Sequence, residues 1–257
     1  MSITFPEQFN MAEYFLDSNI EKGRGERTAI YDRDRAYSYI EIQELANRVG
    51  NALLNLGVEM EDRVLIVLPD SVEFVAVWFG IAKIGAIITM VNTLLHPADY
   101  EYYLDYTRAK VAVVDSSVLE RFLPAASKSR YLRNILAVGA VAGTGIVSYE
   151  ESLAKASDSL ENAPTNKDDI AIWLFTSGST GRPKAAVHLQ HDLPYNTECY
   201  AKQVLRINEN DITLSVPKLF FGYATGTNLL FPFAVGGASA LFAERSTAET
   251  MFEMIQR

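Results

Sequence analysis

A single cysteine, Cys199, and three histidines are all that 257 residues contain of the two strongest soft-metal ligands. One thiol cannot close an intramolecular disulfide, so the chain is not a cystine-stapled secreted module, and a reducing, cytoplasmic setting is expected. No Cys/His cluster has the spacing of zinc ligands, and no metal ligand is assigned. Positive charge is short as well: 23 Lys plus Arg against 32 Asp plus Glu leaves a formal net charge of −9. No overall field therefore draws the protein to nucleic acid or to an anionic membrane, and neither is expected as a partner. A polyanionic ligand has to be held by a local device. The N-terminus, MSITFPEQFNMAEYF, lacks the basic and continuous apolar regions of a secretory signal, and the mature protein is expected to begin there.

An uninterrupted membrane-length run is missing too. Residues 74–91 come nearest, with Lys83 as the only charge among eighteen residues. Lys83 sits mid-run and Gly80 and Gly85 interrupt it, so the segment reads as a buried helix, a turn near Gly85 and a short strand. Apolar side chains, by contrast, are plentiful at 49%, enough for a substantial core. Leu45, Val49, Ala52, Leu53 and Leu56 recur at helical spacing and stop at Gly57, which predicts an amphipathic helix with a glycine at its C-terminus. Pro69, Asp70 and Ser71 supply a turn and a cap for the helix predicted over 71–84. Short apolar runs predict strands at 63–68, 86–90, 111–115, 134–138, 170–175, 212–215 and 238–242. Helical segments are expected at 97–106, with His96 as a solvated cap, at 197–205, and at 248–257.

Continuous apolar strands alternating with helices imply an α/β fold whose largely parallel sheet is covered on both faces, with ligands at the carboxyl ends of strands. Residues 140–169 are poorer in periodic apolar residues, and 158–169 read as a linker. The expected organisation is a first α/β subdomain over 1–160 and the start of a second over 161–257.

The most informative stretch is IAIWLFTSGSTGRPKAAVH, residues 170–188. An apolar strand runs straight into Thr176, Ser177, Gly178, Ser179, Thr180, Gly181, Arg182, Pro183 and Lys184. Glycines let backbone N–H groups approach phosphate oxygens, four hydroxyls donate to the same oxygens, and Lys184 adds a compact positive charge. This is a local anion site on an acidic protein. The Walker A spacing fails, because Pro183 stands where the second glycine belongs and Ala185 follows Lys184. No G-x-G-x-x-G follows any predicted strand, so the dinucleotide fingerprint fails as well. A plain Ser/Thr/Gly-rich surface loop is the alternative for this composition.

TSGSTGRPK resembles the phosphate-binding signature of the adenylate-forming superfamily, which includes acyl–CoA synthetases, luciferases and peptide-synthetase adenylation domains. The likeness extends over nearly the whole chain, through Tyr37, Ser38 and Tyr39; Leu56, Gly57 and Val58; Asp62, Arg63 and Val64; and Lys83, Ile84, Gly85 and Ala86. Leu68 to Ser71, Val91 to Leu95 and Lys218 to Tyr223 are most similar to benzoate–CoA ligases. The resemblance implies the N-terminal part of that family's large domain. It also implies activation of an aromatic carboxylic acid by Mg2+-bound ATP to an acyl-adenylate, followed by transfer to CoA. Thr176, Ser177, Gly178, Ser179, Thr180, Gly181 and Lys184 would grip the β- and γ-phosphates, with Lys184 stabilising the departing pyrophosphate. Gly222, Tyr223 and Ala224 would face the acid. Phe220 and Phe221 are either further walls of that pocket or ordinary core.

His188 is a candidate neighbour of the site. Many relatives have glycine directly after the loop lysine and histidine six residues after it, where this chain has Ala185 and Gln190, with His191 one place later. Relatives are about twice as long, so the adenine, ribose and Mg2+ ligands and the adenylation lysine are expected beyond Arg257. The isolated chain is expected to have little activity and to associate through uncovered surface. A ligase for an aliphatic or hydroxyaromatic acid and a non-catalytic fragment that binds nucleotide or acyl-adenylate are the rival readings.

Overall fold

A computed structural model describes residues 3–140, 145–176 and 181–256. A π-helical turn, Glu13–Asp17, runs into α1 (Ser18–Glu21) and a hairpin of β1 (Thr28–Asp32) and β2 (Arg35–Ser38). Next come α2 (Tyr39–Asn55), β3 (Arg63–Val67), α3 (Val72–Lys83), β4 (Ile87–Met90), α4 (Pro97–Thr107), β5 (Val111–Asp115), α5 (Leu119–Ala126), β6 (Asn134–Val138), β7 (Ile146–Ser148) and α6 (Tyr149–Lys155). Then follow β8 (Ile170–Thr176), β9 (Lys184–Leu189), and α7 (Asp192–Asn196) with a π-helical continuation over Thr197–Leu205. The chain finishes with β10 (Ile212–Leu214), α8 (Gly222–Thr225), α9 (Phe231–Val235), β11 (Ala238–Leu241) and α10 (Ala248–Gln256).

The larger sheet has seven strands in the order β7-β6-β5-β3-β4-β8-β9. Every pair is parallel except the last, in which β9 returns antiparallel to β8. Successive residues of a strand face opposite sides. Accordingly Val64 and Ile66 of β3 enter one core with α2 and α3, while Leu65 and Val67 enter another with α4 and α5. A strand covered on both faces has to be apolar at every position, and that is why these strands read as continuous runs in the sequence. Ser38 starts α2 with a reciprocal cap: the Glu41 N–H donates to Ser38 Oγ at 3.3 Å and the Ser38 N–H to Glu41 Oε2 at 2.8 Å. Gly57, with φ +79°, follows the helix end as expected.

Residues 74–91 form the buried helix, turn and strand that the interrupted apolar run implied. The Lys83 ammonium donates to both Asp17 carboxylate oxygens at 2.7 and 2.6 Å. Gln43 and Asn162 amides donate to the same carboxylate at 2.7 Å each. The charge is therefore matched inside the protein. Among the described residues no helix is long and apolar enough to cross a membrane.

A smaller sheet, in the order β10-β11-β1-β2, joins the N-terminal hairpin to a strand more than two hundred residues later. Sheet membership therefore crosses residue 160 in both directions: β8 and β9 complete the larger sheet, and β1 and β2 complete the smaller one. Residues 158–169, expected as linker, lie against the middle of α2 and the end of α3. Arg48 pairs with Asp158 at 2.8 Å, and the Ala163 N–H donates to the Lys83 carbonyl at 2.7 Å.

Candidate functional site

Strand β8 carries the predicted anion loop to the carboxyl end of the larger sheet, and Thr176 and Lys184 are the last register pair before the hairpin opens. Ser177, Gly178, Ser179 and Thr180 lie outside the described residues. Gly181 has φ +85° with open space around it. The backbone conformation, not crowding, asks for glycine there. Arg182 and Lys184 are both exposed, so the described part of the hairpin presents two cations to solvent at a strand end.

The period-two alternation of β8 sends its side chains to two different neighbours. Trp173 and Phe175 face α4, where the Phe175 ring meets Tyr103 edge-on at 4.7 Å and Tyr106 at 5.7 Å. Leu174 points the other way, to the start of α8. A Cβ built on Gly222 would stand 2.7 Å from Leu174 Cδ1, so the glycine permits the 219–224 segment to lie directly on the strand that leads to the predicted anion loop. The two motifs singled out in the sequence are thereby in contact, although 46 residues separate Thr176 from Gly222.

That segment is fixed at its base by buried polar groups. The Leu219 N–H donates to Asp70 Oδ1 at 2.8 Å and the Leu219 carbonyl accepts from Thr225 Oγ1 at 2.6 Å. Burial pushes the Asp70 carboxyl up to about 6, with the Leu219 N–H and the Lys218 charge acting against it. Lys218 is pushed down by its own burial; its ammonium lies 3.4 Å from the centroid of the Phe242 ring and donates to the Phe242 carbonyl at 2.7 Å. Sequence reasoning took Asp70 for part of a turn. Ser71 is in fact the cap of α3, accepting from the Phe74 N–H at 3.4 Å, while Asp70 turns inward to a residue 149 positions away. A polar residue inside an apolar stretch was the only local signal.

The three residues expected to face an acid are placed differently from one another. Gly222 abuts Leu174, Tyr223 is 72% exposed, and Ala224 is fully buried in the main core. Phe220 packs against that core while Phe221 is half exposed, the two rings 4.3 Å apart. His188, on β9, lies 3.5 Å from Asp192. His191 bonds the Lys167 carbonyl through Nδ1 at 2.8 Å and lies 3.3 Å from Asp168 and 3.4 Å from Asp192. Gln190 is fully buried and accepts from the Met11 N–H at 2.9 Å. At this position, where histidine is expected, the chain has a pin for the N-terminal helix. Among the described residues no group of three or more His, Cys, Asp or Glu is placed to hold a metal ion.

A family model described as AMP-binding enzyme matches residues 16–257. A benzoate–CoA ligase of Thauera aromatica is 40% identical over 257 residues, covering 100% of this chain and 48% of the relative. A 4-hydroxybenzoate–CoA/benzoate–CoA ligase of Rhodopseudomonas palustris is 35% identical, covering 96% of this chain and 46% of the relative. Among solved structures, an anthranilate CoA ligase in complex with anthranoyl-AMP superposes with a TM-score of 0.94 at 34% identity, over 98% of this chain and 48% of that one. A benzoate CoA ligase from Burkholderia xenovorans LB400 gives 0.85 at 34% identity, over 95% and 47%. The chain thus spans about half the length of the relatives it matches.

Proposed function

The chain belongs to the AMP-binding enzyme family, and from that membership we propose that it is part of an ATP-dependent acid–CoA ligase for an aromatic carboxylic acid, benzoate or a close analogue. The observation that carries the reading is the contact between Gly222 and Leu174. It places the segment assigned to the acid against the strand that ends in the segment assigned to the phosphates, which is what an attack of carboxylate on phosphate requires. Similarity to ligases named for benzoate, hydroxybenzoate and anthranilate supports the aromatic substrate class.

In this reading Thr176, Ser177, Gly178, Ser179, Thr180, Gly181 and Lys184 hold the β- and γ-phosphates. The acid's carboxylate oxygen attacks the α-phosphorus, and the bond to pyrophosphate breaks with the electron pair leaving on the pyrophosphate. Lys184 supplies positive charge where that negative charge gathers. The CoA thiol then gives up its proton and attacks the acyl carbon, and AMP departs as the C–O bond breaks. Gly222 and Tyr223 bear on the acid, and buried Ala224 seats them. Among the described residues no group of three or more His, Cys, Asp or Glu offers Mg2+ a site; a Mg2+ carried by the nucleotide would neutralise phosphate charge. A cytoplasmic setting accords with the single free thiol, Cys199.

Acid-dependent ATP–pyrophosphate exchange tests the proposal, using the full-length gene product with benzoate, hydroxybenzoates, aminobenzoates and aliphatic acids. Exchange with aromatic acids, followed by thioester formation on addition of CoA, is the expected result. Exchange with aliphatic acids alone overturns the substrate class. Nucleotide binding without exchange for any acid leaves the non-catalytic reading.

A further inference from the structure

Strand β9 is the edge of the seven-stranded sheet, and an edge strand turns a row of unpaired backbone groups outward. At its beginning these groups meet tyrosines. Tyr102 Oη donates to the Pro183 carbonyl at 2.7 Å, and the Ala185 N–H donates to Tyr106 Oη at 3.4 Å. Tyr102 and Tyr106 are four residues apart on α4, on one face and about 6 Å apart along the axis. Pro183 and Ala185 are two residues apart on an extended chain, about 6.8 Å. The i, i+4 spacing of the helix is therefore close to one two-residue repeat of the strand edge, and Lys184 lies between the two anchored residues. The same helix grips the opposite arm of the hairpin through Tyr103 and Tyr106 against Phe175, and the Arg182 guanidinium lies 5.5 Å from the Tyr102 ring.

We propose that Tyr102 and Tyr106 are positioning residues for Lys184: their hydroxyls fix the peptide groups on either side of it and so set the point from which its ammonium reaches the nucleotide. The assignment to nucleotide rests on the ligase reading; the clamp itself rests only on the geometry. Tyr102 makes the shorter bond and carries the larger share. A cleft of about 720 Å3, lined by Tyr102, Lys128, Arg130 and Arg182 among others, runs beside the contact. Phenylalanine at position 102 thus removes the hydroxyl without crowding any neighbour.

Two measurements test this. Trypsin cuts after Lys184 but not between Arg182 and Pro183, so the rate of cleavage after Lys184 in the full-length gene product reports on the clamp without any ligand. Tyr102→Phe is expected to raise that rate at least five-fold and Tyr106→Phe about two-fold, with cleavage elsewhere and melting temperature unchanged. In the full-length gene product, Tyr102→Phe is expected to raise KM for ATP about three- to ten-fold in pyrophosphate exchange while KM for the acid stays put. Unchanged proteolysis in both variants overturns the clamp. Faster proteolysis with an unchanged KM for ATP overturns the positioning role. A wild-type protein without exchange overturns the ligase reading instead, and proteolysis then still decides the clamp.

Discussion

Replacing Gly222 by alanine puts a methyl carbon 2.7 Å from Leu174 Cδ1, where ordinary carbon contacts lie at about 3.5–4.0 Å. About 1 Å must therefore be regained, either by turning Leu174 off its rotamer or by lifting α8 from β8. The clashing atom is the tip of a flexible, half-buried side chain, so the cost is that of an off-rotamer torsion, about 0.5–1.5 kcal/mol. If the strain is released by α8, the segment bearing Tyr223 shifts, and at about 1.4 kcal/mol per factor of ten the KM for the acid rises by about two- to twelve-fold. KM for ATP, read through the hairpin on the other side of β8, stays within about two-fold. The assay is pyrophosphate exchange on the full-length gene product across a range of acid concentrations, with melting temperatures in parallel. A second substitution sharpens it: Leu174→Ala removes the methyl groups that clash, so Gly222→Ala/Leu174→Ala should recover acid KM relative to Gly222→Ala alone, a coupling that two independent sites do not show. Wild-type acid KM in Gly222→Ala, or no recovery in the double variant, would refute the view that this contact places the acid segment.

Lys184→Ala should slow adenylation about 100-fold or more with little change in acid affinity, measured by single-turnover formation of acyl-adenylate; collapse of acid binding at an unchanged rate speaks against a phosphate role. Lys83→Met strands the Asp17 carboxylate with only the Gln43 and Asn162 amides, and urea unfolding should show a loss of about 3–5 kcal/mol, most of it recovered in Lys83→Met/Asp17→Leu. Asp70 is ordinarily near 3.8 and is pushed up to about 6, so the folded protein holds this proton more tightly than the unfolded one. Its contribution to stability is complete below about 3.8 and is lost as pH rises through about 6, amounting to at most ~3 kcal/mol. Asp70→Asn keeps an acceptor for the Leu219 N–H without that loss. The variant should gain stability relative to the wild type as pH rises from about 3.8 to about 6, and parallel stability curves across that window would remove the burial argument.

Elements whose shape follows from near neighbours were legible in the sequence. The strands at 111–115 and 134–138 match their observed bounds, and α3, the turn at Gly85 and β4 lie where an apolar run broken by Lys83 placed them. Each is encoded by which residues recur at 2.0 or 3.6 positions, a consequence of backbone geometry that needs no partner. The short hairpin β1–β2, β7, α5 and α6 were missed, because three to eight half-exposed residues hold too few repeats to establish a period. The expectation of an anion loop rests on a different signal, hydroxyls, glycines and cations gathered at the end of a strand, and residues 177–180 of it lie outside the described ones.

What the sequence determined by itself, then, was the α/β class, the strand that carries the loop, and membership in a family with one kind of phosphate chemistry. The tertiary structure decided which distant pieces meet. It brought β1 beside β11, Asp70 under Leu219, Gly222 onto Leu174, and two tyrosines of α4 onto the strand edge around Lys184. No local pattern encodes these contacts, because each depends on how the twisted sheet and its covering helices close in space, and a tyrosine at i and i+4 says only that two hydroxyls share a face until a strand edge of matching repeat is laid against them.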